Sequence, residues 1–351
     1  MNPLEARLHY PFADALPEFG KTRDIVPGLR WVRMPLPFAL DHVNIWLLRD
    51  HIDGREGWTV IDCGVSRDNL KAYWTEIFDH GLDGLPILRV LVTHMHPDHV
   101  GLASWLTETW KAPLWMTMTD YALAKLHTES HNPGRGDQIA AHYARHGVTD
   151  PDALAQLRER GSYFSDLVPA VPDQMVRIMD GDQIRIGDFT WEVIDGAGHS
   201  PEHAALYDRE RNILIAGDMV LPRISTNVSV FDTEPEADPL RLYLRSIKKF
   251  NPLPEDALVL PSHGRPFHGL HERIRQQEDH HAERLAEVLA ACKTPMSAAD
   301  IVPLMFKRKL DVHQLTFALG EALAHQHLLY YSGQLSRTIG DDGVVRFVVA
   351  A

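Results

Sequence analysis

The chain has 351 residues, long for one small core, and its 44% hydrophobic and 24% charged content is ordinary for a soluble globular protein. The formal net charge of -13 disfavours nucleic acid as the main partner, because an extended polyanion needs a concentrated basic surface. There is no apolar run of about 18 residues to span a membrane, no basic-then-apolar leader in Met1–Arg7, and no disulfide framework in the distant Cys63 and Cys292, so the expectation is a cytoplasmic protein.

In chain order, Leu29–Met34, Val43–Arg49 and Trp58–Asp62 are short β-rich runs parted by turn residues such as Asp53-Gly54. Asn69–His80 carries a helical pattern stopped by Gly81–Pro86. Ile87–Val92 is an apolar run broken only by Arg89, as in a largely buried strand. Leu102–Trp110 follows as a helix and Pro113–Met116 as a strand. From about residue 120 to 171 the texture changes to short helices, Ala122–His127, Gln138–His146 and Asp152–Arg160, the pattern of an insertion. Strand texture returns at Met175–Ile178, Gln183–Ile186, Thr190–Ile194, Ala204–Tyr207 and Ile213–Ala216, with turns at Asp180-Gly181 and Gly187-Asp188. Leu240–Phe250 is helical and Leu258–Leu260 is a short strand. Strands in two groups with helices between predict an α/β fold, a sandwich of sheets covered by helices on both faces.

The last ~80 residues read as a separate unit, within reach of domain size. It has a long helix Leu270–Ala291, a second helix Ser297–Phe306 capped by Ser297, and a third, Val312–Leu329. Tyr330-Tyr331 and Arg346–Val349 are expected to pair as a hairpin across Asp341-Asp342-Gly343. Three helices and a hairpin make a winged-helix-like arrangement. The expected domains are residues 1–270, with the insertion at 120–171, and residues 271–351.

Chemistry concentrates at Thr93-His94-Met95-His96-Pro97-Asp98-His99-Val100-Gly101, where four ligand-type side chains fall within six positions after a buried strand. His94 and His96 alternate on extended backbone and can point the same way, while Asp98 and His99 follow the proline and can face a second point nearby. Imidazole and carboxylate suit zinc or a similar divalent cation. The plainer alternative is a polar loop rich in histidine. Three later apolar strands also end in a ligand-type residue beside small ones, at Gly198-His199-Ser200, Gly217-Asp218 and Ser262-His263-Gly264. Each alone is readable as a turn. Together they can put every ligand on one edge of one sandwich, with glycines allowing close backbone approach.

With these residues the sequence resembles the metallo-β-lactamase superfamily, in particular its glyoxalase II-like hydrolases. The family's His-x-His-x-Asp-His motif matches His94, His96, Asp98 and His99. Its later His, Asp and His ligands match His199, Asp218 and His263, and the Asp of its strand-end Asp-x-Gly matches Asp62. The match covers about residues 30–270. The resemblance implies an αββα sandwich, with His94, His96 and His199 on one metal, Asp98, His99 and His263 on a second, and Asp218 bridging. Three neutral imidazoles leave an open position for water. Two metals roughly 3.5–4 Å apart can share one hydroxide that attacks an acyl or phosphoryl centre, with Asp98 and Asp218 as the catalytic carboxylates. The expected cofactor is two divalent ions, zinc first, with iron and manganese also suited to the donors. Asp62 is expected to orient a ligand histidine, the alternative being a turn-forming aspartate. The C-terminal unit resembles the winged-helix appendage of some hydrolases of this superfamily, including a ribonuclease-like branch.

Other residues carry weaker signals. Cys63 reads as a small buried hydrophobe, and His203 as either an orienting residue or a core histidine. His127 and His131 read as surface residues or substrate contacts, His280-His281 as solvated, and Arg223 as an anion contact or a surface ion pair. The basic residues of the insertion, Lys125, Arg135, Arg145 and Arg158, are diluted by Glu129, Asp137, Asp150 and Asp152. Val312–Leu329 has no Lys or Arg, so it lacks the contacts of a DNA-reading helix and reads as a packing helix, a lid or a homodimer contact. The expected function is hydrolysis of a small-molecule acyl substrate, thioester-like because a thiolate leaves with little acid help. The alternative is a phosphodiesterase or endoribonuclease of the same fold. A non-enzymatic metal scaffold ranks behind, since the ligand set leaves a water position. β-Lactam hydrolysis does too: no export signal is present, and Asp218 stands where true lactamases of the fold usually differ.

Overall fold

A computed structural model describes residues 4–38, 40–129 and 134–350. His131 lies outside the described residues. Two sheets are built from the strands anticipated above, with one addition at the N-terminus. The first has the order β1 (Thr22–Val26), β2 (Leu29–Pro35), β3 (His42–Ile52), β4 (Arg55–Ile61), β5 (Ile87–Leu91), β6 (Leu114–Met116) and β7 (Met175–Arg177). Its strands are antiparallel up to β4 and parallel from β4 onward. The β3–β4 turn is the two-residue Asp53-Gly54, both at positive φ, between paired Ile52 and Arg55. That backbone suits Asp-Gly and matches the strand twist.

The second sheet contains β8 (Gln183–Ile186), β9 (Phe189–Gly196), β10 (His203–Asp208), β11 (Ile213–Gly217) and β12 (Leu258–Pro261), in spatial order β12-β11-β10-β9-β8. Only the β11–β12 pair is parallel. The apolar faces of both sheets share one core, in which Trp31, Trp46, Ile61 and Leu91 meet Trp191, Val193, Leu206, Ile215 and Leu260. β5 is buried at every position, Arg89 included. The Arg89 guanidinium lies 2.8 Å from Asp50, which also accepts from Thr59 Oγ1 and the Gly187 N–H. A buried charge is tolerated there because the whole network is satisfied.

The helices are α1 (Asp68–His80), α2 (Pro97–Val100), α3 (Ala103–Trp110), α4 (Met118–Glu129), α5 (Arg135–Arg145), α6 (Pro151–Glu159), α7 (Tyr163–Leu167), α8 (Pro239–Ser246), α9 (Leu270–Ala291), α10 (Ala298–Met305) and α11 (Val312–Tyr331). None among the described residues is long and apolar enough to cross a membrane. The chain forms two compact units. One comprises Met1–Ser130, Phe164–Thr226 and Lys249–Ile274, the other His131–Tyr163, Asn227–Lys248 and Arg275–Ala351. Segments 131–163 and 227–248, which the sequence pattern places before the C-terminal unit, therefore fold with it.

Inside the second unit, Ser297 and Asp300 form a reciprocal capping box that starts α10. Arg135 pairs with Asp232, the Ala299 N–H donates to the His146 carbonyl, and His327 Nδ1–H donates to the Ala237 carbonyl. Two expectations need correction here. Tyr330-Tyr331 is the last turn of α11, and the hairpin is β13 (Leu335–Ile339) with β14 (Val345–Val349). The helix continues past Leu329 because nothing stops it before Gly333, which is at positive φ. His281 is fully buried, although α9 is polar in sequence; its Nδ1–H donates to His325 Nε2 of α11 at 3.2 Å. His280 beside it is half-buried.

Candidate metal centre

β4, β5 and β6 are parallel and end on one edge of the first sheet, which presents Asp62, the run Thr93–His99 and Thr117 there. β9, β11 and β12 end ahead of His199, Asp218 and His263. The Ala204 N–H donates to the Thr93 carbonyl at 2.8 Å and joins the two sheets at this edge. Carboxyl ends of parallel strands commonly carry sites in this way.

Three imidazoles converge first. His94 Nε2 lies 3.0 Å from His96 Nδ1 and 3.2 Å from His199 Nε2, and His96 Nδ1 lies 3.1 Å from His199 Nε2. A second group follows, with His263 Nε2 at 3.3 Å and His99 Nε2 at 3.4 Å from Asp98 Oδ2. Asp218 stands between the groups. Its Oδ2 is 3.3 Å from His199 Nε2 and 3.4 Å from His263 Nε2, and its Oδ1 is 3.7 Å from His99 Nε2. All seven candidate ligands are thus brought together, and their donor atoms form groups spanning no more than 4.8 Å.

The outer hydrogen bonds set which nitrogen faces inward. Asp62 is at φ 67°, a left-handed conformation that aspartate tolerates better than most residues. It accepts from the Thr93 N–H at 2.8 Å, from Thr93 Oγ1 at 2.9 Å and from His99 Nδ1–H at 2.8 Å. Thr93 Oγ1 in turn accepts from His94 Nδ1–H at 3.0 Å. One carboxylate therefore orients His99 directly and His94 through a hydroxyl, as expected of partners outside a ligand set. His263 Nδ1–H donates to the His42 carbonyl at 2.7 Å. When neutral, His99, His94 and His263 each turn an Nε2 lone pair to the centre.

These donors fit cations. Ligands about 2.0–2.1 Å from a tetrahedral ion stand ~3.3 Å apart, close to the spacings here, whereas facing lone pairs without a positive charge repel. His99 Nε2 and Asp218 Oδ1 are buried with no hydrogen-bond partner. Burial, with His199 alongside, pushes His96 down to about 3, so it presents a lone pair. Burial also opposes a charge on His263, but Asp218 and Asp98 outweigh it and push it up to about 10. The carboxylate-bearing group thus calls for positive charge.

Several supporting residues carry no recognisable signal in the sequence. Asn44, fully buried, donates from Nδ2 to the carbonyls of Pro261 at 2.8 Å and Gly264 at 2.9 Å, on both sides of His263. His42 Nε2 accepts from the Gly264 N–H at 2.9 Å. Asp120 holds two ligand-bearing loops, as described below. His203, left open between two roles, is fully buried, and its Nε2 accepts from the Asp218 N–H at 3.1 Å. Gly217 is at φ 54°, and a Cβ there would come within 2.3 Å of His203 Nε2, so only glycine permits that approach. Arg223 is 70% exposed and 4.0 Å from Glu5. Cys63 is a buried free thiol, pushed well up by burial and by Asp62. The His127 ring lies tilted 5.2 Å from that of Phe164 and joins none of the donor groups found among the described residues.

Comparison with known proteins agrees with this geometry. The description of the metallo-beta-lactamase superfamily matches residues 39–263, and that of a metallo-beta-lactamase-like C-terminal domain matches residues 285–350. The chain is 56% identical to a beta-lactamase domain protein from Burkholderia ambifaria, whose crystal structure aligns over 99% of this chain and 100% of that one with a TM-score of 0.94. It is 22% identical over 318 residues to the probable metallo-hydrolase YqjP of Bacillus subtilis (strain 168), spanning 88% of this chain and 92% of that protein. It is 27% identical over 213 residues to the acyl-coenzyme A thioesterase MBLAC2 of Homo sapiens, spanning 58% of this chain and 67% of that protein. With the candidate ligands and most of the paired sheets lying within the matched region, the chain belongs to the metallo-beta-lactamase superfamily and is a metallohydrolase.

Proposed function

We propose that the protein binds two divalent cations, zinc foremost, and hydrolyses a small acyl thioester. The observation that carries this reading is the pair of donor groups sharing the Asp218 carboxylate. His94, His96 and His199 would hold one ion, Asp98, His99 and His263 the other, and Asp218 would touch both. Such a pair, when bound, lowers the pKa of a shared water towards ~7 and polarises the acyl oxygen. The chain supplies the rest. Asp98 and Asp218 offset part of the cationic charge, and Asp62, Thr93 and His42 fix the ligand rings. Cys63 is unsuited as a nucleophile, since a buried thiol with a raised pKa carries little thiolate.

The substrate class rests on the leaving group and on charge. A thiolate departs with little help from a general acid. Of the basic residues near the α4–α6 segments, Lys125 is engaged by Asp173 and Glu129, Arg135 by Asp232 and Arg158 by Asp137, so they offer little free charge to a phosphate chain. The thioesterase relative supports the same choice. The order α9–α10–α11 with the β13–β14 hairpin fits a winged-helix-like packing unit, and the two free, buried cysteines fit a reducing cytoplasm.

The test is a hydrolysis screen of metal-reconstituted protein over acyl-coenzyme A thioesters, lactones, a bis-aryl phosphodiester and single-stranded RNA. Thioester turnover lost in Asp98→Ala is the expected result. RNA cleavage faster than any acyl hydrolysis, and lost in the same variant, would replace this reading with an endoribonuclease.

A further inference from the structure

We propose that Asp120, in the first turn of α4, is the positioning residue that sets the three-imidazole group of His94, His96 and His199. This inference rests on the metal assignment proposed above and adds a part the ligand motif does not contain.

Asp120 is fully buried. Its Oδ1 accepts from the Met95 N–H at 2.8 Å, and its Oδ2 accepts from the Glu202 N–H at 2.7 Å. Met95 lies between His94 and His96, and Glu202 lies in the loop that follows His199. One rigid carboxylate therefore ties together the two loops that carry all three imidazoles. The tie is reinforced at its base. Thr117 Oγ1 donates to the Glu202 carbonyl at 2.6 Å, and the Thr119 N–H at the start of α4 donates to Glu202 Oε2 at 2.9 Å. Glu202 thus satisfies one of the open N–H groups of α4, while α4 supplies the acceptor for the Glu202 N–H. Neither of the two loops is bridged in this way by a ligand itself. The Met95 bond holds the segment between its two histidines, where a small rotation would turn both rings out of register.

The other group is held by different hardware. Asn44 grips the carbonyls on both sides of His263. Asp62 reaches His99 and, through Thr93, His94. Asp62 therefore serves both groups, whereas Asp120 and Asn44 each hold one, so loss of either of these two should fall on its own ion. A carboxamide cannot replace Asp120, because its NH2 would face one of the two N–H donors. A buried carboxylate without a cationic partner is costly, and burial raises Asp120 to about 6. It is retained because two loop N–H groups need two acceptors at once.

The experiment is chelator-competed titration of apo protein with Zn(II) or Co(II), comparing wild type, Asp120→Asn, Thr117→Val and Asn44→Ala, with melting of each apo form as a folding control. Loss of a partner outside the ligand set typically weakens metal affinity by ~10–100-fold. Asp120→Asn is expected to weaken one of the two ions by that factor and leave the other unchanged. Thr117→Val should weaken the same ion by less, and remains informative if the Asp120 variant does not fold. Asn44→Ala should weaken the other ion. The inference is overturned if Asp120→Asn and Thr117→Val bind both ions as wild type does, or if both ions weaken together in step with a lower apo melting temperature. Failure of the underlying metal assignment looks different, because the wild type itself would then take up no ion.

Discussion

Asp218 sits where two cations would meet, directly after Gly217, which is at φ 54°. Removing its carboxylate takes a donor from both groups at once, since Oδ2 lies 3.3 Å from His199 and 3.4 Å from His263. Asp218→Ala should therefore lose hydrolysis and weaken both ions, by more than the ~10–100-fold seen for an outer partner. His203→Ala removes the acceptor of the Asp218 N–H and a ring packed on His94 but no candidate ligand, and should do less. Elemental analysis and chelator titration check both variants, and full metal content in Asp218→Ala would refute the bridging role. Gly217→Ala tests the backbone beneath. The left-handed conformation costs alanine roughly 1–2 kcal/mol before any clash, and the new Cβ meets His203 Nε2. The apo protein should melt earlier and bind metal less tightly, the first read by calorimetry and the second by titration.

At the scale of elements, the site is a set of strand ends. β4, β5 and β6 run parallel, so their carboxyl ends coincide, and each delivers a different part: an orienting carboxylate, four candidate ligands, and the Thr117–Asp120 tie. The short α2 begins at Pro97, whose fixed φ suits a first helical position and turns Asp98 and His99 away from the His94–His96 line. The start of α10, by contrast, is set by local chemistry. In α10 the Ser297 hydroxyl accepts from the Asp300 N–H while Asp300 Oδ2 accepts from the Ser297 N–H. Ser297→Ala should cost about 1 kcal/mol of stability, the usual worth of such a cap, and leave metal content unaltered. Denaturant titration beside elemental analysis tests this. A cap that also changed metal uptake would mean that α10 reports on the site.

For the molecule as a whole, the consequence is a dependence of stability on pH that arises away from the metal centre. Burial pushes His142 and His325 down to about 4, His146 to about 3 and His281 to about 2. Around His142 and His146 stand Asp232, His327, Arg135, Arg145 and Arg337, and around His281 and His325 stand His280, Arg284 and Glu321. The unfolded chain protonates these histidines below its ordinary 6.5, while the folded chain does not. Stability is therefore complete above that value and falls as pH drops from it towards 4. Glu321 acts oppositely. Burial raises it to about 7, so its contribution is complete below 4.5 and lost as pH rises through 7. One glutamate offsets part of the effect of four histidines, and net loss on acidification is expected. Urea titrations between pH 8 and 5 measure it. His146→Gln should flatten the acid slope relative to wild type, by up to ~1.4 kcal/mol per pH unit, and an unchanged slope would show that His146 titrates normally.

The sequence by itself determined the local parts. Strand runs, the Asp53-Gly54 turn, the Ser297 cap and the positions of seven candidate ligands follow from patterns among neighbouring residues, because periodicity, turn chemistry and capping act within a few positions. Asp62 was legible too, as a strand-end aspartate beside Gly64. Other features depended on which distant segments pack together. Asn44 grips the Pro261 carbonyl across 217 positions, and Asp120 accepts from Glu202 across 82. Neither residue stands out in its own stretch. α9 is polar along its length, and His281 is buried by packing against His325 of α11 and Tyr243 of α8. The grouping of 131–163 and 227–248 with the C-terminal residues has no local mark either, since contacts such as Arg135 with Asp232 and Ala299 with His146 join segments whose own sequences show only short helices and loops. Burial and hydrogen-bond partners belong to the folded arrangement, and a ligand motif specifies what binds a cation without specifying what holds the ligands still.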